Sequence, residues 1–169
     1  MQTEQAEAIG LSRIDLANLS RLAASEPVDF GAMEIPPGAL PPAHVASRAL
    51  AQLKGGTPAL WCVPFLILPQ SREAILGGCT FKGMPVGGVA EIGYGVAESQ
   101  RGRGVATAAV GQLLRIAVQS GIVRMVVAHI VPANLASAGV VSRLGFSKGE
   151  PLLDPDGETV VPWTWRSQD

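Results

Sequence analysis

The stretch SQRGRGVAT places Arg101, Gly102, Arg103 and Gly104 directly before an apolar helical run. Backbone N–H groups at the start of a helix lack acceptors, and the helix dipole adds partial positive charge there. The glycines would let these donors fold around an anion without a Cβ in the way, and the arginines would add charge at the rim. This combination predicts a phosphate-binding loop. The alternative is an exposed turn whose arginines are only solvated.

The type of phosphate ligand is narrowed by what the stretch lacks. The loop that binds nucleoside triphosphates ends in Gly-Lys-Ser/Thr, and residues 99–107 contain no lysine. A dinucleotide fingerprint needs a third small residue where Thr107 stands. It also needs an acidic residue at the end of the next strand, where VRMVVAHIV offers none. Neither kind of nucleotide site fits the sequence.

Two blocks of sequence resemble the GCN5-related N-acetyltransferases (GNAT), specifically the RimJ/RimL-like branch. EIGYGVAESQRGRGVATAAV meets the helix-start signature Gln/Arg-x-x-Gly-x-Gly/Ala with Arg101, Gly104 and Ala106. AHIVPANLASAGVVSRLGF meets the second block, Asn-x-x-Ser followed by Leu-Gly-Phe, with Asn134 and Ser137. Both blocks occur in the family's order, and together they span about a third of the chain.

The resemblance implies acetyl-CoA as the acetyl donor, with its pyrophosphate on the loop of residues 101–106. It also implies that the pantetheine arm lies beside the strand containing Gly93 and Gly95, bonded to its main chain as an added strand would be. Alternatively, these glycines only relieve crowding in a twisted sheet. The predicted acetyl-CoA contacts are Val96, Ala97, Arg101, Gly102, Arg103, Gly104, Val105, Ala106 and Asn134, of which Asn134 also caps its helix.

Acyl transfer to an amine needs a base for the ammonium proton, a donor for the oxyanion and a proton for the departing thiolate. Strand alternation puts Glu91 on the face of Gly93 and Gly95, with open space before its carboxylate. We predict Glu91 as the general base, acting directly or through water. A salt bridge on an exposed sheet face is the alternative. The main-chain N–H groups near Val96 and Ala97 are the predicted oxyanion donors.

The group that assists the thiolate departs from the family pattern. Many relatives place a tyrosine four residues before the glycine of the LGF block, and that position is Val141 here. The Asn-x-x-Ser block suggests Ser137 as the substitute, because its hydroxyl can donate a hydrogen bond to sulfur. His129, one of two histidines, is interpreted as a core or edge histidine rather than a catalytic group.

These residues require a particular set of supporting elements. Hydrophobic periodicity and breaker residues predict the strands and helices. The predicted strands cover 5–15, 59–68, 73–82, 89–97 and 123–131, with two short ones around the DPDG turn at 154–157. The predicted helices cover 15–24, 43–53, 105–120 and 134–144, and residues 25–42 should be irregular.

An antiparallel meander joined to a parallel strand–helix–strand unit predicts an α+β fold. With the resemblance, this becomes a GNAT-like α/β/α sandwich whose mixed, strongly twisted central sheet has about six to seven strands. The 169 residues should form a single domain, 1–169, because no linker or repeat divides them.

Composition excludes several classes of protein. The net charge of −1, with 13 Lys and Arg residues, gives no support for nucleic-acid binding. No apolar stretch approaches the roughly 20 residues needed to span a bilayer, and MQTEQAEAIG lacks the features of an export signal. Cys62 and Cys79 fit small core residues in a reducing compartment. We therefore expect a cytoplasmic monomer or homodimer without a metal site or membrane partner.

The acceptor amine is left open by the motifs. Candidates are a protein N-terminus, a free amino acid, a polyamine or an amine antibiotic. Glu26, Asp29 and Glu34 in the irregular stretch could attract a cationic amine, or they could simply be solvated. The alternative function is a non-catalytic acetyl-CoA-binding sensor or interaction module.

Overall fold

The computed structural model describes residues 8–168, in which one mixed sheet has helices on both faces. The helices are α1 (Leu16–Ala23), α2 (Ala43–Lys54), α3 (Val105–Gln119) and α4 (Leu135–Arg143). The strands are β1 (Ile9–Arg13), β2 (Phe65–Pro69), β3 (Gly77–Phe81), β4 (Val89–Val96), β5 (Met125–Ile130), β6 (Ser147–Lys148), β7 (Leu152–Leu153) and β8 (Thr159–Arg166). Residues 5–7 of the predicted first strand, and most of MQTEQAEAIG, lie outside the described residues.

The sheet combines an antiparallel meander with one parallel crossover. Its order is β1-β2-β3-β4-β5-β8-β6, with β7 pairing β8. Strands β1 to β4 pair antiparallel, while β4 and β5, joined through α3, are parallel. The mixed α+β sheet is confirmed. Within residues 8–168 it has eight strands, one more than the upper expected number, because the two-residue strand β6 also pairs with β8.

The predicted hairpin forms with shorter arms than expected. Residues 59–61, predicted as the start of a strand, form a 3₁₀ turn instead. Pro58 and Pro64 bracket this turn, and proline cannot donate a ladder hydrogen bond. The strand therefore begins at Phe65, and β2 pairs with β3 through three residue pairs.

Two hydrophobic cores lie on opposite faces of the sheet, and β2 contributes to both. Its residues Phe65 and Ile67 pack in the core beneath α3 and α4, whereas Leu66 and Leu68 pack in the core beneath α1 and α2. Successive strand side chains point to opposite faces, so the uninterrupted apolar run FLILP serves two layers. Cys62 and Cys79 are free and buried, as expected of small core residues.

The irregular segment 25–42 is held against α1 by the buried side chain of Asn18. Its amide donates to the Asp29 carbonyl at 2.7 Å and accepts from the Asp29 N–H at 2.9 Å. Asp15, the N-cap of α1, accepts from the Asn18 N–H. That hydrogen bond is the largest of the effects that lower the pKa of the Asp15 carboxyl. Within residues 8–168, no helix is long and apolar enough to cross a membrane.

Candidate active site

The central feature of the site is a gap where β4 and β5 stop pairing. β4 pairs with β5 only along Val89–Ile92, but it continues to pair with β3 as far as Val96. Beyond Ile92, no strand within residues 8–168 pairs with this edge of β4. An unpaired strand edge presents backbone donors and acceptors to any extended ligand that can bond to them.

Hydrogen-bond alternation shows which β4 groups face this gap. The Ala97 N–H donates to the Leu76 carbonyl at 2.8 Å, and the Glu91 carbonyl accepts from the Lys82 N–H at 2.8 Å. Odd-numbered β4 residues therefore direct their backbone groups toward β3, because successive residues of a strand bond to opposite sides. The N–H and C=O groups of Tyr94, like the N–H of Val96, face the gap.

The same alternation corrects one predicted contact. Ala97 was expected to offer its N–H to an oxyanion, but that N–H bonds Leu76 and the Ala97 side chain is fully buried. The prediction is wrong for Ala97 because the ladder to β3 extends one residue past β4. Val96 retains a free N–H on the gap side.

The loop before α3 has the backbone that its glycines predict. Gly102 and Gly104 both adopt φ +76°, a left-handed conformation that disfavours side chains. Gly104 is the N-cap of α3, and no side chain in the described part of the chain caps the helix. The N–H groups of the first turn thus lack intrahelical acceptors and carry the positive end of the helix dipole.

A cavity of about 870 Å³ joins the gap to this loop. Eight predicted site residues line it, namely Val96, Arg101, Gly102, Gly104, Val105, Ala106, Asn134 and Ser137. Arg103 and Glu91 are not among its lining residues. Arg143 of α4 lines it as well. Sequence reasoning missed Arg143 because nothing in the motif marks the last residue of α4 as turned toward the loop.

The cavity suits a ligand that combines a diphosphate with an extended amide chain. Two arginines, Arg101 and Arg143, and the open first turn of α3 are donors for anionic oxygen. The free edge of β4 is a partner for amides. A Cβ built on Gly95, Gly102 or Gly104 meets nothing within 4 Å, so the backbone is bare along this path.

Glu91 lies outside the first cavity, where it forms an ion pair with Lys82 and a hydrogen bond with His129. Its Oε1 lies 3.4 Å from Lys82 Nζ and 3.0 Å from His129 Nδ1, and its side chain is 39% exposed. His129 is thus a partner of Glu91. Glu91 therefore forms a salt bridge, which was the alternative to a role as general base. Its carboxylate is still partly exposed to solvent.

A second cavity, of about 630 Å³, lies on the side of α2. It shares Tyr94, Gly95, Val96 and Arg101 with the first cavity, so the two meet along the end of β4. The segment 37–42 forms one wall. The acids Glu26, Asp29 and Glu34 do not line this cavity.

Tyr94 links β4 to α4 at the junction of the two cavities. Its hydroxyl donates to the Ser137 carbonyl at 2.7 Å, and Asn134 Oδ1 accepts from the Ser137 N–H at 3.1 Å. Two hydrogen bonds therefore fix the Ser137 backbone and hold its side chain at the cavity wall. Val141 is fully buried and lines neither cavity, so a tyrosine there would overfill the core.

Burial raises the pKa of Tyr94 to about 12, and the hydrogen bond to Ser137 opposes this only in part. The folded state therefore favours the neutral phenol. This contribution to stability is complete below the unfolded pKa of about 10 and is lost as the pH rises through about 12.

Tyr94 is the single tyrosine of the chain, so phenolate absorbance reports its ionisation alone. We expect a midpoint near 12 when absorbance is read immediately after a pH jump, before unfolding, and near 10 in denaturant. Tyr94→Phe should show no step. Equal midpoints in native and denatured protein would contradict the buried, bonded hydroxyl.

Comparisons with known proteins identify related sequences and folds. The sequence profile of the Acetyltransferase (GNAT) domain matches residues 11–147. No curated protein matches the chain. RimJ from Mycobacterium smegmatis, in complex with CoA-disulfide, is similar over 96% of this chain and 84% of its own, at 22% identity and a TM-score of 0.67.

Two further solved structures are similar along nearly the whole chain. Ribosomal-protein-S5-alanine acetyltransferase from Vibrio fischeri gives 15% identity and a TM-score of 0.68, over 98% of this chain and 96% of its own. RimL, a ribosomal L7/L12 α-N-protein acetyltransferase in complex with coenzyme A, gives 18% identity and a TM-score of 0.64. The match covers 94% of this chain and 93% of RimL. At these identities the likeness establishes the fold.

Proposed function

Because the chain belongs to the GNAT acetyltransferases, which use acetyl-CoA as the acetyl donor, we propose that it acetylates a primary amine by direct transfer within a ternary complex. The observation that supports direct transfer is the junction of two cavities at Tyr94, Gly95 and Val96. One cavity suits the donor and the other is free for the acceptor. No carrier residue is then needed between them.

In this proposal the loop and α4 bind the diphosphate of acetyl-CoA. The first-turn N–H groups of α3 donate to phosphate oxygens, and Arg101 and Arg143 add charge-assisted hydrogen bonds. The backbone of Tyr94 bonds the pantetheine amides along the free edge of β4, and Asn134 adds its side-chain amide. Acetyl-CoA supplies a thioester whose carbonyl carbon the amine attacks.

Three further groups supply the remaining roles. Glu91 accepts the amine proton through water, since its carboxylate does not line either cavity. The Val96 N–H donates to the oxygen that gains negative charge. The Ser137 hydroxyl donates to the sulfur as the C–S bond breaks and the C–N bond forms. Ser137 lines the donor cavity.

A protein N-terminus and a small amine are the two acceptor classes we retain. The names of two structurally similar proteins specify ribosomal proteins as their substrates, which supports the first class. The second cavity, at about 630 Å³, has the size of a small-molecule site, which supports the second.

A thiol-release assay with acetyl-CoA across a library of amines and peptides tests the proposal. We expect CoA release that depends on the acceptor, with formation of one N-acetyl product. Binding of acetyl-CoA without release for any acceptor would overturn the proposal and favour a sensor. Failure to bind CoA would overturn the donor site as well.

Gly104→Val is expected to weaken CoA affinity by about tenfold or more. A β-branched residue resists φ +76°, and its methyl groups would occupy the open space before the first turn of α3. Isothermal titration calorimetry with CoA gives the affinity. Circular dichroism verifies that the variant is folded.

The matched control is Gly121→Val at the other end of α3. Gly121 also has φ +76° and nothing within 4 Å of a built Cβ, but it lines neither cavity. The backbone strain in Gly121→Val should therefore lower the free energy of unfolding without changing the affinity for CoA. Equal affinity in the two variants would mean that the loop does not hold the diphosphate.

A further inference from the structure

The lining of the second cavity carries more basic than acidic side chains. Among the described residues that line it, Arg48, Lys82, Arg101 and His44 are basic, and Glu98 is the one carboxylate. Glu98 is exposed, so water screens its charge. A protonated amine by itself would find little attraction in such a cavity.

Arg48 is partly buried, whereas Arg101 and His44 of the same lining are exposed to solvent. It lies on α2, is partly buried, and has no hydrogen bond or salt bridge with any residue in the range 8–168. Burial is the larger influence and lowers the pKa of the guanidinium, while the charge of Glu91 opposes it. A partly buried cation without a partner is costly, and an anionic ligand would relieve that cost.

Lys82 differs from Arg48 because it already has a partner. Its ammonium lies 3.4 Å from Glu91, so part of its charge is compensated within the protein. The guanidinium of Arg48 retains five N–H donors in a planar fork that matches a carboxylate. Arg48 is therefore better suited than Lys82 to bind a carboxylate of an acceptor.

We propose that the acceptor is a primary amine that carries a carboxylate, and that Arg48 binds this carboxylate in the second cavity. The proposal rests on the proposed function and names the class of its acceptor. The loop acids Glu26, Asp29 and Glu34, for which attraction of a cationic amine and simple solvation were both left open, do not line this cavity. Positive charge around the amine also disfavours its protonated form, which eases the loss of the proton before attack.

The test compares paired acceptors that differ only in the negative group. One arm uses α-amino acids and their α-amides, and the other uses peptide amides with Glu or Gln after an N-terminal Ser. We expect kcat/KM to favour the acid in one arm by about ten- to hundredfold. The first arm identifies a free amino acid, and the second an acidic protein N-terminus.

Variants assign the preference to its residue. Arg48→Met should remove most of the preference, and Arg48→Lys should restore part of it, because an ammonium keeps the charge without the fork. Arg115→Met is the matched control, since Arg115 is exposed on α3 and lines neither cavity. A preference that is absent in both arms, or unchanged in Arg48→Met, would overturn the proposal.

Calorimetry separates this proposal from the proposed function. The same acid and amide pairs are titrated into the protein with CoA bound, where no transfer can occur. If no acceptor is acetylated but the acid still binds more tightly through Arg48, the binding proposal stands and the enzymatic one fails. If transfer occurs but neither the rate nor the binding affinity favours the acid, the proposed enzymatic function stands and the carboxylate-binding proposal fails.

Discussion

Glu91→Gln is expected to lower kcat by about 10²–10⁴, the usual contribution of a general base, while the Kd for CoA stays nearly unchanged. The amide keeps the size of the side chain and can still meet a donor, but it cannot accept the amine proton. Since Glu91 lies outside the donor cavity, the loss should appear in turnover rather than in CoA binding. Steady-state kinetics and calorimetry measure the two quantities separately.

The competing explanation is that Glu91 only holds Lys82 and His129. In that case Glu91→Gln and Lys82→Met should lower the free energy of unfolding in urea similarly, and Glu91→Gln should keep more than about half of the wild-type kcat. That result would mean that Glu91 stabilises the fold through its ion pair and is not the general base. Glu73→Gln, at an exposed acid that lines neither cavity, is the control for removing one negative charge.

Ser137→Ala should slow turnover by about tenfold to a hundredfold. A hydroxyl bonded to the departing sulfur stabilises charge that grows only as the C–S bond breaks, so it acts on the barrier more than on binding. The range corresponds to one lost hydrogen bond to a charged atom, about 1.5–3 kcal/mol. Acetylation rates at saturating acetyl-CoA provide the measurement.

The structure makes Ser137→Ala a clean substitution. The Ser137 backbone is held by Tyr94 at its carbonyl and by Asn134 at its N–H, and alanine leaves both hydrogen bonds in place. A thioester with a more acidic thiol needs less assistance, so its rate should fall less. If both thioesters slow equally, Ser137 positions the donor and does not assist departure of the thiolate.

Local signals predicted the elements around the loop well. The apolar stripe of α3, the cap at Asn134 and the glycines at 102 and 104 act within a few residues, so periodicity and turn chemistry suffice. The 3₁₀ turn at 59–61 was missed because the apolar side chains of ALW fit a strand as well as a turn.

The composition of the second cavity was harder to predict because it depends on long-range contacts. Arg48 on α2 and Lys82 after β3 are distant in sequence, and only the fold brings them to one wall. The same holds for the bond from Tyr94 to Ser137, which spans 43 residues. Ala97 was misassigned because the ladder register, which decides where an N–H points, is not encoded in local pattern.

The double-sided burial of β2 has a consequence for how the molecule comes apart. Phe65 and Ile67 anchor one helical layer, and Leu66 and Leu68 anchor the other, so neither layer can detach without exposing this strand. Loosening of the wall formed by α2 should then be coupled to loosening of α3. We expect residues 8–168 to unfold in one cooperative transition, with the backbone amides of β2 among the last to exchange with solvent.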